Sequence, residues 1–190
     1  MTGAEAGFGR RVLLAALAGA PGARELARLM AALAAVPRRE ALFTETKTLA
    51  ALRAPLRSSG LLSYTRPDRF AKITEWPRAE VLTVNGGHAA LSLDGGPARR
   101  ISFADQPALG GLAAAILGTL SGNLALLRRW YHVRLAGGLT DWTLTLTPRG
   151  KVLAGFVREV SLHGTGGHVH EVRTVAANGD RSVMRIDAGQ

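Results

Sequence analysis

The sequence has no cysteine among its 190 residues, so disulfide bonds and thiol chemistry are impossible and no cysteine is present for lipid attachment. Low-complexity tracts and repeats of fixed period are also missing. Hydrophobic residues make up 47% and charged residues 20% of the chain, which is ordinary for a globular protein. We therefore expect one domain with a real core.

Acidic residues are scarce, since 14 stand against 24 basic residues and give a formal net charge of +10. Nucleic-acid binding usually needs clustered basic residues with aromatic side chains, and here the arginines are scattered. We therefore expect no nucleic-acid partner. Contact with an anionic membrane surface or an acidic partner is one remaining interpretation. The other remaining interpretation of the positive charge is a coding bias toward arginine over lysine.

A convincing catalytic or metal-binding pattern is also lacking. His163, His168 and His170 are the best metal candidates, and the last two would share one face of a strand. No cysteine or well-placed carboxylate completes the set, because Glu171 faces the other way. The glycine run after His163 is not followed by the helix that a phosphate loop needs. Ser58-Ser59-Gly60 lacks the framing of a nucleophile elbow. We expect no enzyme activity, no metal and no cofactor.

Residues 1–23 have the layout of a secretory signal. Arg10 and Arg11 precede a short apolar run, and small residues follow it up to Ala23. The alternative interpretation is an N-terminal helix of the folded domain. If the segment is a signal, residues 24–190 form the mature domain.

Apolar periodicity predicts three helices. In the first, Arg24–Val36, the residues Leu26, Leu29, Met30 and Leu33 form one apolar stripe, and Pro37 ends the helix. The second, Pro107–Leu120, carries no charge and is too short to span a bilayer, so it is either a core helix or a lid over a cavity. The third runs from about Gly122 to Trp130. Its basic C-terminal end suits the helix dipole, and Trp130-Tyr131 is more simply an aromatic anchor at that end than a nucleic-acid contact.

Short alternating segments joined by glycine turns predict strands on both sides of the two central helices. The turn signals are Asn85-Gly86-Gly87, Asp94-Gly95-Gly96 and Asn178-Gly179. Because strands and helices do not alternate, a Rossmann-type sheet is disfavoured. The pattern predicts an α+β fold, a long curved antiparallel sheet of about ten or eleven strands with helices covering its concave apolar face. The predicted strands are 39–49, 59–65, 69–74, 81–85, 88–93, 99–103, 132–135, 141–147, 157–162, 168–175 and 182–186.

Three motifs resemble the outer-membrane lipoprotein carrier family, LolA. The run from Pro55 to Phe70 contains a Ser-Gly, an apolar alternating strand and then Arg-Pro-Asp-Arg-Phe. The run Trp142–Pro148 is similar to the family's late strand that ends in a proline, and Asn178–Ile186 is similar to its closing hairpin. The order of elements agrees over residues 24–187. One departure is that Ala71-Lys72 stands where the family has Arg-Trp, which removes an aromatic side chain from a strand near the cavity mouth.

The resemblance implies a periplasmic half-barrel closed by helices, a carrier with an apolar cavity that takes acylated lipoproteins from an inner-membrane exporter and passes them to an outer-membrane receptor. The sequence gives no evidence for an oligomer, so we expect a monomer. Because of the departure at Ala71-Lys72, the cargo could also be another acylated or polyene-type lipid in place of a lipoprotein. An envelope sensor without transport and an esterase-like enzyme are the alternatives from other classes. In the family, the arginine that matches Arg66 holds the lid through hydrogen bonds to helix backbone. The candidate residues of the cavity and lid are Leu29, Met30, Leu33, Phe43, Leu62, Tyr64, Phe70, Leu112, Ile116, Leu117, Leu120 and Leu144.

Overall fold

A computed structural model describes residues 21–188 of the chain. The predicted signal segment therefore lies almost wholly outside the described residues. None of the helices within residues 21–188 has the length and hydropathy needed to cross a bilayer. The helices are α1 (Pro21–Ala34), α2 (Pro107–Leu120), α3 (Leu124–Trp130) and α4 (Lys151–Ala154).

Within residues 21–188 the strands form one open, antiparallel sheet of eleven strands, as the glycine-punctuated alternation predicts. Its order is β6-β5-β4-β3-β2-β1-β11-β10-β9-β8-β7. The first and last strands of the described part of the chain, β1 and β11, thus pair with each other in the middle of the sheet. The strands are β1 (Arg38–Thr48), β2 (Leu56–Thr65), β3 (Arg69–Trp76), β4 (Glu80–Asn85), β5 (His88–Leu93), β6 (Arg99–Ser102), β7 (Tyr131–Gly138), β8 (Asp141–Pro148), β9 (Val157–Thr165), β10 (His168–Ala176) and β11 (Arg181–Ala188).

Each of the three predicted glycine turns joins two neighbouring strands. Gly86, Gly95 and Gly179 have positive φ angles of 56°, 72° and 92°, a backbone conformation that costs glycine little and other residues more. Asp94, beside Gly95, also has a positive φ of 51°, which aspartate tolerates better than most residues. The turn residues therefore set the sheet connections as expected.

Helix α1 buries its apolar stripe as predicted, although its bounds differ from the predicted ones by two or three residues at each end. Leu26, Leu29, Met30 and Leu33 are all buried. The helix already begins at Pro21, and its first residues therefore overlap the segment predicted as a signal. Cleavage after Ala23 would remove the start of α1.

Helix α2 has the predicted bounds, whereas α3 begins two residues later than predicted. Asn123 caps α3, since its Oδ1 accepts a hydrogen bond of 2.9 Å from the backbone N–H of Leu126. Gly122 lies outside the helix with a φ of +66°. A Cβ there would stand 2.1 Å from the carbonyl oxygen of Met30, so only glycine allows α1 to pass so closely. The short helix α4 was not predicted, because four residues show no periodicity.

The buried side chains form two apolar clusters. The larger one joins α1, α3 and α4 to strands β7–β10 and includes Leu33, Leu127, Trp142 and Leu153. The smaller one lies over strands β2–β5 and includes Tyr64 and Phe70. Helix α2 contributes to both, with Ala115 in the larger cluster and Ala113 and Leu117 in the smaller. The two halves of the core thus meet at α2.

Candidate functional site

A cavity of about 330 Å³ lies between the sheet and α2. This volume falls at the low end of the range of small-molecule pockets. Strands from β1 to β4 and from β9 to β11 line one side, and Leu112, Ala115, Ile116 and Leu120 of α2 line the other. Most of the lining side chains are apolar. Half of the predicted cavity residues are among them, namely Leu62, Tyr64, Phe70, Leu112, Ile116 and Leu120.

The other predicted cavity residues are buried in the surrounding core rather than in the lining. Leu29, Met30, Leu33 and Leu144 belong to the larger apolar cluster, and Leu117 belongs to the smaller one. Phe43 is also buried. Periodicity shows which face of an element points inward. It does not distinguish a side chain that packs against another from one that borders an empty space.

Local sequence explains how α2 is held above the cavity. Pro107 occupies its first turn, where the missing N–H has no cost. The fully buried Tyr131 donates a hydrogen bond of 2.9 Å from its hydroxyl to the carbonyl oxygen of Gly111, and burial raises the pKa of this phenol. A Cβ on Gly111 or on Gly118 would meet Leu153 or Leu127 at 2.9 Å or less. The glycines of α2 therefore allow the neighbouring helices to approach closely.

Two arginines bind the C-terminal end of α1. Arg66 donates a hydrogen bond of 2.8 Å from Nη1 to the carbonyl oxygen of Ala34. Arg39 donates from Nη2 to the carbonyl oxygen of Leu33 at 2.6 Å, and from Nη1 to that of Gly167 in the β9–β10 turn. These cations complement the unpaired carbonyl groups at the helix end. Arg66 therefore holds helix backbone, as the family resemblance implies, but the helix is α1 and not the predicted lid α2.

The sequence does not predict Arg39 as a site residue, although Arg39 also lines the cavity. Burial lowers the pKa of its guanidinium. Its position next to Arg38 at the start of a strand gave no sign that its bonds reach the distant β9–β10 turn. The only local signal was that a helix ends a few residues before it.

A buried ion pair in the cavity wall was also missed. Lys72 Nζ lies 2.5 Å from Oε2 of Glu45, and the hydroxyl of Ser182 donates to Oε1 of the same carboxylate at 2.5 Å. Burial acts to raise the pKa of Glu45, but the charge and hydrogen bond of Lys72, the hydrogen bond of Ser182 and the charge of Lys47 lower it below its usual value. The signal in the sequence was Lys72 itself, which stands at a position where the family has tryptophan.

The histidines are spread over different environments. His163 Nδ1 lies 3.5 Å from Asp141 Oδ1, the ring of His170 shares a hydrogen bond of 2.7 Å with Thr165, and His168 lines the cavity. Within residues 21–188, no group of three or more histidine, aspartate or glutamate side chains is arranged to hold a metal. Gly167, in the turn between β9 and β10, has a packing role, since a Cβ there would stand 2.5 Å from the carbonyl oxygen of Ala32 in α1.

The solved structures that match this chain are distant from it in sequence. A LolA superfamily protein from Nitrosomonas europaea is 10% identical over 90% of this chain and 95% of its own, with a TM-score of 0.45. A DUF1329 family protein from Desulfovibrio piger is 12% identical over 85% and 88% of the two chains, with a TM-score of 0.49. The MucA/MucB complex from Pseudomonas aeruginosa contains a chain that is 19% identical over 87% and 57%, with a TM-score of 0.36.

Among curated proteins, none matches this chain. The family model for outer membrane lipoprotein carrier protein LolA-like sequences matches residues 18–188. This match spans all of the described helices and strands and far more than half of the sequence. The chain therefore belongs to the LolA-like family of outer membrane lipoprotein carrier proteins.

Proposed function

We propose that this protein is a periplasmic carrier without catalytic activity. It binds acyl chains of a lipoprotein or of another lipid in its cavity and moves them from the inner to the outer membrane. The observation that carries the proposal is the mostly apolar cavity between the sheet and the uncharged helix α2. Family membership supports the same class of function.

The energetics suit a hydrocarbon guest. Burying a methylene group stabilises a complex by about 0.8 kcal/mol, so ten methylenes contribute roughly 8 kcal/mol before the cost of ordering the chain. The small volume matches a single chain better than several. A larger guest, such as the acyl groups of a whole lipoprotein, requires the cavity to widen.

Helix α2 is the element proposed to move. It carries Gly110, Gly111 and Gly118, which lower its helix propensity, and it has no charged residue that would fix it by an ion pair. Four of its side chains face the cavity. In this proposal α2 acts as a lid, while Arg39 and Arg66 hold α1 in place. An inner-membrane exporter would load the cavity and an outer-membrane receptor would empty it.

Uptake of an apolar fluorescent probe tests the cavity. Leu112→Arg and Ile116→Arg each place a charge at the cavity border, and we expect both to abolish uptake while circular dichroism shows a folded protein. Val152→Arg is the matched control, because Val152 is 60% exposed on α4 and does not line the cavity. Undiminished uptake by Leu112→Arg and Ile116→Arg would count against the lid.

Native mass spectrometry of the protein purified from the envelope tests the carrier role. A co-purifying lipid or acylated peptide, followed by its transfer to acceptor vesicles, supports a carrier. A bound guest that is never transferred indicates a sensor, and turnover of an acyl ester indicates an enzyme. A protein that is empty and excludes the apolar probe contradicts the proposal.

A further inference from the structure

The cavity wall contains a row of polar side chains that a hydrocarbon guest does not need. Lys72 on β3, Glu45 on β1, Ser182 on β11 and Thr174 on β10 all line the cavity. Lys72 and Ser182 bind opposite oxygens of the Glu45 carboxylate, and Thr174 lies directly opposite Ser182 in the β10–β11 pairing. These residues, called the polar row below, run across the sheet under α2.

The charged members of the polar row are largely shielded from solvent. The side chain of Glu45 is 6% exposed and that of Lys72 is 13% exposed. Removing two charges from water costs several kcal/mol per ion, and apolar residues of similar volume often replace a buried ion pair without loss of stability. A cavity for hydrocarbon alone could therefore have apolar residues in place of this pair without loss of stability.

The strand between the two charged residues carries Gly60, which has no side chain. Neighbouring strands lie about 4.8 Å apart, and β2 separates Lys72 on β3 from Glu45 on β1. Gly60 on β2 is paired with Phe43 on one side and Thr74 on the other. The Lys72 ammonium reaches across β2 and lies 4.9 Å from the centroid of the Phe43 ring.

The cations in the wall have unused donors. An ammonium group carries three N–H donors, and Glu45 is the hydrogen-bond acceptor that the structure gives to Lys72. Within the described part of the chain, Nε of Arg39 is buried without a hydrogen-bond partner. Both oxygens of Glu45 are already engaged. Of the other ionisable residues in the lining, Glu40 is more than half exposed and bound to Arg38, and His168 is exposed. The charged groups of the wall therefore suit a guest group that accepts hydrogen bonds better than one that donates them.

We propose that the polar row recognises a carboxylate on a long-chain amphiphile. The carboxylate accepts hydrogen bonds from Lys72, and the chain lies along the apolar wall toward Leu112 and Ile116 of α2. This inference rests on the proposed carrier function and specifies the chemical class of the guest. It predicts selection between guests of equal hydrocarbon length, which burial of apolar area does not provide.

The test compares hexadecanoate with 1-hexadecanol, which has the same chain and no negative charge. Binding of each to the purified protein is measured by displacement of an apolar fluorescent probe. We expect hexadecanoate to bind the wild-type protein at least about tenfold more tightly, a difference of about 1.4 kcal/mol. In Lys72→Met this affinity ratio should fall close to one. In Glu45→Gln it should rise, because Lys72 no longer has a competing carboxylate.

Lys47→Met is the matched control. Its ammonium lies 3.6 Å from Oε2 of Glu45 and is 46% exposed, but Lys47 does not line the cavity, so the ratio should stay at the wild-type value. If Lys72→Met does not fold, the double variant Glu45→Met, Lys72→Met replaces the pair by apolar residues and gives the same readout.

Two results overturn the inference while the carrier proposal stands. One is equal affinity of the wild-type protein for both compounds, and the other is a preference for hexadecanoate that persists without Lys72. If the wild-type protein binds neither the probe nor either compound, the proposed function itself fails.

Discussion

Lys72 and Glu45 form a buried ion pair with a distance of 2.5 Å between Nζ and Oε2, although a complete strand separates them. Pairs on adjacent strands are common, because their side chains are neighbours on one face. A pair that skips a strand must reach across the strand between, and Gly60 on β2 adds no side chain there. The two charges thus depend on each other.

Removing one charge of the pair should destabilise the protein, whereas replacing both charges with apolar residues should not. Glu45→Ala leaves the Lys72 charge buried without its partner, and we expect it to lower the free energy of unfolding by about 3–5 kcal/mol. The double variant Glu45→Leu, Lys72→Met should lie within about 1 kcal/mol of the wild-type protein. Urea unfolding curves of the single and double variants measure both values. A double variant that is as unstable as Glu45→Ala would contradict this expectation.

Gly60→Ala should be strongly destabilising. A Cβ at this position would lie 1.9 Å from the carbonyl oxygen of Ile73 on β3, and backbone has little freedom to move within a sheet. We expect a loss of at least about 3 kcal/mol, or failure to fold. Gly87→Ala is the control, since a Cβ there meets nothing within 4 Å and the residue has no positive φ. Thermal unfolding of the two variants should therefore differ clearly.

Arg39 should contribute more to stability than its neighbour Arg38. Arg39→Ala removes two charge-assisted hydrogen bonds to backbone oxygens, and we expect a loss of about 2–3 kcal/mol with faster hydrogen exchange in α1. Arg38→Ala removes an exposed ion pair with Glu40, which should cost less than about 0.5 kcal/mol. Similar losses in the two variants would contradict the assignment of Arg39 as one of the two arginines that hold α1.

Tyr131 should make stability depend on pH in the alkaline range. Its pKa is raised by burial, so the folded protein retains the phenolic proton more strongly than the unfolded chain. The resulting stabilisation is fully present below the unfolded pKa of about 10 and is lost as the pH rises toward the folded value.

Tyr131→Phe should lose about 1 kcal/mol at neutral pH, because the hydrogen bond to Gly111 is absent. Above pH 10 its stability should fall less steeply than that of the wild-type protein. Unfolding free energies between pH 8 and pH 11 give the comparison. Tyr64, whose pKa burial also raises, remains in the variant, so some dependence on pH should persist. Identical slopes for both proteins would contradict the assignment.

Local patterns in the sequence predicted most of the fold. Pro107 and the uncharged apolar run after it gave the bounds of α2, and the glycine turns gave the strand connections. The residues that line the cavity were predicted less well. Phe43 and Leu62 have the same apolar character, but only Leu62 borders the cavity, because the depth of a side chain is set by what packs above it. The Lys72–Glu45 pair depends on strand register across three strands, which no local pattern contains.

The pairing of β1 with β11 has a consequence for when the protein folds. Strand β1 is made first, but one of its two partners is the last strand of the described chain. Until β11 has been synthesised, β1 exposes an unpaired edge, and contacts between such distant segments form slowly. The middle of the sheet therefore closes only after β11 has been synthesised.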